Sequence, residues 1–176
     1  YGPGDKEYGS VRQPFLDWLA GDLPMLPREF TFPFDHVDDV AQAHLTAMDE
    51  GEIGEEYIIA NEPREVVDIF DMAAEMTGIS SPRSVSPVWF NLLAKMLAPV
   101  DRVWPLPEGV QPEMFRTYGG TKNLVDNSKA KEELGIEHRP FDEGLREYLK
   151  WELEQQGMDT EPLKEKAENE PVDTVS

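Results

Sequence analysis

Phe34-Asp35-His36-Val37-Asp38-Asp39-Val40-Ala41-Gln42-Ala43-His44 is the stretch from which the fold can be read. Up to Val37, Phe30, Phe32 and Phe34 stand at the two-residue spacing of a strand; then the period changes. Val40, Ala43, His44, Ala47 and Met48 recur at helical spacing. Asp38 is the expected N-cap of that helix, because a short carboxylate can accept an orphan backbone N–H and places negative charge at the helix's positive end. Gly51 is the expected stop. Beyond it, Glu55–Asn61 carries Tyr57-Ile58-Ile59-Ala60, short, apolar and partly β-branched like a buried parallel strand. Strand, helix, strand from Phe32 to Ala60 is the repeating unit of an α/β protein.

Upstream of this unit, Val11, Phe15, Trp18 and Leu19 predict a short amphipathic helix that stops at Gly21, with Pro14 tolerated in its first turn. A brief extended piece follows at Met25–Leu26. Downstream, Val66, Ile69, Phe70, Ala73 and Met76 predict a helix ended by Gly78. Pro87–Leu97 is richly apolar and leads into a Pro-rich stretch through Pro99, Pro105 and Pro107. A short helix is expected from Lys129 to Leu134, with Ser128 as its N-cap and Gly135 as its stop. A longer one is expected from Asp142 to about Gln156, with Leu145, Tyr148, Leu149 and Glu152 on one face. After Gly157 the chain is acidic and polar without periodicity. Residues 1–156 are therefore expected to form the folded body and residues 157–176 a disordered acidic tail.

Composition limits the function classes. The 176 residues are 39% hydrophobic and 10% aromatic, enough to bury a core. Asp and Glu number 36 against 16 Lys and Arg, giving a net charge of −20. Such a surface repels phosphate backbones and anionic headgroups, so neither a nucleic acid nor a membrane is an expected partner. The acidity is similar to that of haloarchaeal proteins, whose self-repulsion is screened in concentrated salt, and it fits an ordinary acidic cytosolic protein equally well. There is no cysteine, which excludes disulfides, thiolate nucleophiles and cysteine-ligated zinc. A chain without signal peptide or membrane-length apolar run is expected to be cytoplasmic. The start at Tyr1, without an initiator methionine, reads as the middle of a protein.

Four stretches carry a resemblance. Tyr1-Gly2-Pro3-Gly4-Asp5 is similar to a YGPGD turn after a sixth strand. The Phe34–His44 stretch is similar to an F-x-H-V-D-D-V-A-x-A-H signature, and Glu55–Asn61 to a G-E-x-Y-x-I-x-N strand. Asp126-Asn127-Ser128-Lys129-Ala130-Lys131-Glu132-Glu133-Leu134-Gly135, followed by Arg139-Pro140 and Glu143-Gly144-Leu145, matches a closing D-x-S-K-A-x-x-E-L-G segment. In this order they resemble the extended short-chain dehydrogenase/reductase family of NAD-dependent epimerases, dehydratases and reductases. The resemblance implies the C-terminal part of a Rossmann-type α/β fold with a mainly helical substrate-binding lobe. It also implies NAD or NADP as cofactor and a small-molecule substrate bearing a hydroxyl or carbonyl, and it leaves a homodimer open. Tyr1, Gly2, Pro3 and His36 are the substrate-binding residues it points to.

The family's hydride exchange is assisted by a Tyr-x-x-x-Lys pair, expected upstream of Tyr1. Tyr118-Gly119-Gly120-Thr121-Lys122 has that spacing, but two glycines disfavour a helix there by about 1 kcal/mol each, so Tyr118 and Lys122 are read as a decoy. No residue of this chain is assigned as catalytic. The pyrophosphate-binding glycine turn is missing too, since Gly51-Glu52-Ile53-Gly54 lacks a third glycine and follows a helix. His36, His44, Asp38 and Asp39 lie close in sequence, but adjacent aspartates diverge at a helix start, and no metal site is read from them. His138 sits in a polar stretch.

The nucleotide-sugar members of the family place an arginine, suited to a bidentate diphosphate contact, where this chain has Phe32. Arg28 is displaced from that position and Arg116 lies later. A smaller or more apolar carbonyl substrate is the expectation, with Trp89, Phe90, Trp104 and Phe115 available for a pocket. The alternative is a non-catalytic dinucleotide-sensing or interaction module of the same fold.

Overall fold

Helix α1 (Arg12–Ala20) forms where the apolar spacing places it, and it buries Phe15 and Trp18. Gly21 ends it in the left-handed conformation, φ 78°, which glycine adopts without steric cost. The computed structural model describes residues 1–5, 11–104 and 112–163, so Pro105 and Pro107 lie outside the described residues. After α1 come β1 (Met25–Pro27), β2 (Thr31–Pro33), α2 (Val37–Glu50), β3 (Pro63–Glu65) and α3 (Val66–Thr77). Then follow β4 (Arg83–Val85), α4 (Pro87–Val103), α5 (Pro112–Tyr118), α6 (Ser128–Leu134) and α7 (Phe141–Gln155). β1 pairs in parallel with β4, and β2 pairs antiparallel with β3, Phe32 standing opposite Arg64.

The extended run from Phe30 to Val37 is shorter as a ladder than its alternation suggests. Prolines 27 and 33 have no N–H to give, and Glu29 turns the chain between them with φ 59°. Tyr57–Ala60, expected as a buried parallel strand, enters no ladder among the described residues. Tyr57 and Ile59 pack against Ala43, Ala130, Leu134 and Ile136, while Ile58 is 51% exposed. A strand buried on both faces needs two covering layers, and this segment has one.

Two caps differ from expectation. His36, not Asp38, is the N-cap of α2: its backbone is extended, and its Nδ1 accepts from the Asp38 amide at 3.3 Å. Helical geometry has already begun at Val37, so Asp38 and Asp39 sit in the first turn. Likewise Ser128 is the first helical residue of α6, with Asn127 as cap. The Ser128 amide is satisfied by Asp126 Oδ1 at 3.0 Å.

The main core is made where α1, α3 and α7 meet. Phe15 stacks on Phe70 at 4.7 Å and meets Tyr148 edge-on at 5.1 Å, and Ala73, Leu145 and Leu149 are fully buried. Glu152, on the apolar face of α7, is completely buried as well. It is held by Arg12 of α1 through two bonds, Nε–Oε2 at 2.9 Å and Nη2–Oε1 at 3.0 Å. The folded body also runs past the expected boundary at Gln156. Met158 N donates to Leu153 O at 2.9 Å, Arg146 reaches the Leu163 carbonyl at 3.2 Å, and Leu163 is buried in the core. An apolar leucine seven residues into the acidic segment is enough to fold it back. The remainder of the expected tail, 164–176, lies outside the described residues.

Candidate functional site

The Tyr1–Gly4 turn is anchored beside the start of α2. Tyr1 N donates to Asp35 O at 2.8 Å, and Val37 N donates to Tyr1 O at 2.7 Å. This pair of bonds is the pattern of parallel strands, with Tyr1 beside His36. Parallel neighbours require a crossover, and α1 lies within the connection. Both chains therefore run toward the same edge, which places Gly2-Pro3-Gly4 and the Asp38-Asp39 turn together there. In open α/β sheets that carboxyl edge is where ligands bind.

Close packing holds the pieces. A Cβ on Gly2, whose φ is 146°, would collide with Val37 Cγ1 and stand 3.3 Å from His36 Nε2. A Cβ on Gly144, in the first turn of α7, would meet Tyr1 Oη at 2.5 Å, Arg139 Cδ at 3.1 Å and His36 Cδ2 at 3.3 Å. Gly2→Ala is accordingly expected to cost about 1–3 kcal/mol from overpacking. Urea unfolding measures it, and a loss below about 0.5 kcal/mol, the scatter of ordinary surface changes, would show the turn to be loosely held.

His36 is 1% exposed. Burial pushes its imidazole below the ordinary histidine range, and the positive charge of Arg139 adds to this. Because Nδ1 accepts from Asp38 N, the neutral ring carries its proton on Nε2, which finds no hydrogen-bond partner and lies 3.7 Å from Glu147 Oε2. Burial also pushes the Tyr1 phenol far above its usual range, the Asp39 carboxylate reinforcing the effect. Tyr1 thus stays neutral at physiological pH.

Arg139 ties the cluster together. Its Nε donates to Asp39 Oδ1 at 2.8 Å and its Nη1 to Glu147 Oε2 at 2.9 Å, while Nη2 is 3.6 Å from Asp38 Oδ2. His36, Asp38 and Glu147 offer ligand atoms within 4.8 Å of one another, and the guanidinium supplies the positive charge those acids face. His44 takes no part: its Nδ1 donates to Val40 O at 2.7 Å. Arg139 and Gly144 enter the sequence reading only as members of the closing segment, with no site role, and Glu147 does not enter it. The signal available was that Arg139 is the one cation between Lys131 and Arg146 in an acid-rich segment.

Tyr1, Gly2 and His36 are thus brought together, with Pro3 half-buried beside them. Tyr118 ends α5, whereas Lys122 lies past two glycines and bridges Thr31 in an extended segment, so the two do not share a helix. The Gly51–Gly54 segment closes as a turn after α2, Glu55 N donating to Glu52 O at 3.1 Å. Arg28 is engaged by Ser84 Oγ at 2.9 Å and Arg116 by Glu113 at 3.0 Å. Opposite Phe32, the Arg64 guanidinium lies over the Phe141 ring at 4.5 Å.

Two concavities accompany these groups, and neither is lined by Tyr1, Gly2, Pro3 or His36. One, of about 500 Å³, is polar and lies beside α6, with Asn61, Lys131 and His138 in its wall. The other, of about 340 Å³, lies against α4. Of the described helices none is long and apolar enough to cross a membrane.

No family model matches the chain. It is 28% identical over 170 residues to the human and Macaca fascicularis proteins called short-chain dehydrogenase/reductase family 42E member 1, covering 86% of this chain and 41% of theirs. The solved structure of gox2253 superposes with a TM-score of 0.73 at 28% identity, covering 90% of this chain and 48% of that one. The structure of PA4631, a nucleoside-diphosphate-sugar epimerase from Pseudomonas aeruginosa, gives a TM-score of 0.65 at 20% identity, with 85% and 44% covered. The chain spans less than half the length of each. Within that span it has the α/β architecture of a Rossmann-type fold of the extended short-chain dehydrogenase kind.

Proposed function

We propose that this chain is the substrate-side, carboxy-terminal part of an NAD- or NADP-dependent epimerase, dehydratase or reductase acting on a sugar or another hydroxyl- or carbonyl-bearing small molecule. The observation that carries the reading is the 28% identity to short-chain dehydrogenase/reductase family 42E member 1 over 86% of this chain, and the superposition on gox2253 over 90% of it is consistent with that fold. The parallel pairing of Tyr1 with His36 supports it, because it puts the Gly2–Gly4 turn at a carboxyl edge of the kind that binds ligands.

The bound dinucleotide would supply hydride exchange at a substrate carbon, and its pyrophosphate would be held by residues outside this chain. Within this chain, the buried His36 ring and the half-buried Tyr1 ring support the Gly2–Gly4 turn from behind, and Asp39, Arg139 and Glu147 keep α2 and α7 in register beside them. Gly2-Pro3-Gly4 forms the lip against which the substrate rests. The coding sequence upstream of Tyr1 tests the reading. A strand–Gly-x-x-Gly-x-x-Gly–helix unit and a Tyr-x-x-x-Lys shortly before Tyr1 are expected, with saturable NADH or NADPH binding by the full-length protein. An unrelated upstream domain, or a full-length protein that binds neither dinucleotide, would overturn it.

A further inference from the structure

Helix α4 is capped by Ser86, whose Oγ accepts from the Val88 amide at 3.4 Å, and Pro87 occupies its first turn. Trp89, Leu92, Leu93 and Met96 follow at the i, i+3, i+4, i+7 spacing that puts four side chains on one face. In an ordinary surface helix that stripe would be covered. Here Trp89 and Met96 are each 64% exposed. Only Phe90 and Ala94 of this helix are buried, and Phe90 packs toward Phe115 of α5 at 6.1 Å.

The open stripe does not face empty solvent on all sides. Met25 at the start of β1 and Val85 at the end of β4 stand on the same face of their two-stranded ladder, two residues apart in register. They meet the α4 stripe around a half-open concavity of about 340 Å³, which the buried Phe90 also lines. Three elements thus wall a corner, a different shape from a groove running along one helix. Its volume lies in the range of small-molecule sites, roughly 300–1,000 Å³.

The chemistry of the walls is selective. Every lining side chain is apolar, two are aromatic and two are thioethers. Flat rings suit aromatic walls, and the flexible methionines adapt to the outline of what is bound. A sugar hydroxyl or a diphosphate placed here would lose water with little to replace it, since among the lining residues the Trp89 indole N–H is the single side-chain donor and there is no cation. Arg83, opposite Met25 on the same face of the ladder, is not among the lining residues, and Arg28 directs its Nε to Ser84, whose side chain alternates to the opposite face of β4 from Val85. The net charge of −20 likewise argues against anionic lipid as the occupant.

We infer that the corner between α4, β1 and β4 binds the apolar, ring-bearing body of a small carbonyl or alcohol compound, with Met25, Leu93 and Met96 gripping the ring and Trp89 closing over it. As the seat of a substrate it rests on the functional reading above. Trp104 and Phe115, which the sequence offers for the same pocket, do not line it.

The test uses the full chain labelled at its methionine methyl groups and titrated with methyl 2-naphthyl ketone, with UDP-glucose as comparison. The Met25 and Met96 methyl signals are expected to shift saturably with the ketone and stay still with UDP-glucose. Met48, 74% exposed on α2, serves as a bystander and should stay still in both. Leu93→Asn should weaken ketone binding by at least roughly tenfold. Trp89→Ala should also weaken it while leaving the unfolding midpoint unchanged, which separates loss of the site from loss of the fold. Methyls that ignore the ketone, that move together with Met48, or that move on dilution without ketone would overturn the site. The last of these results would assign the face to a second copy. Ketone binding at Met25 and Met96 without NAD(P)H-linked turnover by the full-length protein would sink the functional reading alone. Turnover with silent methyls would sink the pocket alone.

Discussion

Glu152→Gln is expected to lower stability by about 3–5 kcal/mol, the cost of breaking a buried ion pair from one side. Glu152 is fully buried and Arg12 is 7% exposed, so neither charge has water to fall back on. The substitution keeps the shape but leaves the guanidinium facing a neutral amide. Arg12 would still donate to the Asp5 carbonyl, a 2.6 Å bond, and lie over the Trp151 ring at 5.0 Å, and these contacts compensate only part of the loss. For a chain of this size each kcal/mol moves the midpoint by roughly 2–4 °C, so thermal unfolding should shift down by about 6–20 °C. The double variant Arg12→Met with Glu152→Leu removes both charges and should recover most of the loss. If Glu152→Gln costs less than about 1 kcal/mol, the pair behaves as a solvated surface bridge and the burial argument fails.

Phe70→Ala should be of similar size, about 3–5 kcal/mol, for a different reason. Phe70 is 3% exposed, stacks on Phe15 at 4.7 Å and meets Trp18 edge-on at 5.7 Å. Truncation opens a cavity at the junction of α1 and α3, and the aromatic walls cannot collapse into it without leaving their own partners. Met48→Ala, on an exposed face of α2, is the control and should stay within about 0.5 kcal/mol. Urea unfolding of both variants measures the contrast. A Phe70→Ala cost as small as the control's would mean that the core around Phe15 is loosely packed.

Much of the fold follows from spacing. The helices α1, α3 and α7 appear where their apolar positions recur, because each must lay one stripe on the same core, and Gly21, Gly78 and Gly135 end helices through left-handed conformations. Tyr57–Ala60 misled because an apolar run shows the desire for burial and not the identity of a hydrogen-bonding neighbour. The cap of α2 misled for a subtler reason. Asp38 has the better capping chemistry, but His36 is where the backbone changes from extended to helical, and its ring nitrogen reaches the same amide.

The candidate site divides the same way. Tyr1, Gly2 and His36 were legible as a group, whereas Arg139 and Gly144 were legible only as members of the closing segment and Glu147 not at all, all three lying about 100 residues later in the chain. Contacts between segments so far apart leave no periodic trace in sequence. The apolar corner was half legible: Trp89 and Phe90 announce it, but Met25 and Val85 join only through the parallel register of β1 and β4.

The clasp between the first helix and the last has a kinetic side. Arg12 and Glu152 are 140 positions apart, and Asp39 and Arg139 are 100 apart. The contacts that complete the core are therefore among the least local in the molecule, and loop-closure entropy must be overcome before they repay it. During synthesis, Phe15, Trp18 and Phe70 have no α7 to cover them until nearly the whole segment has been made. This apolar surface is made well before the helix that covers it, an order in which acidic self-repulsion between neighbouring unfinished copies helps to keep them apart.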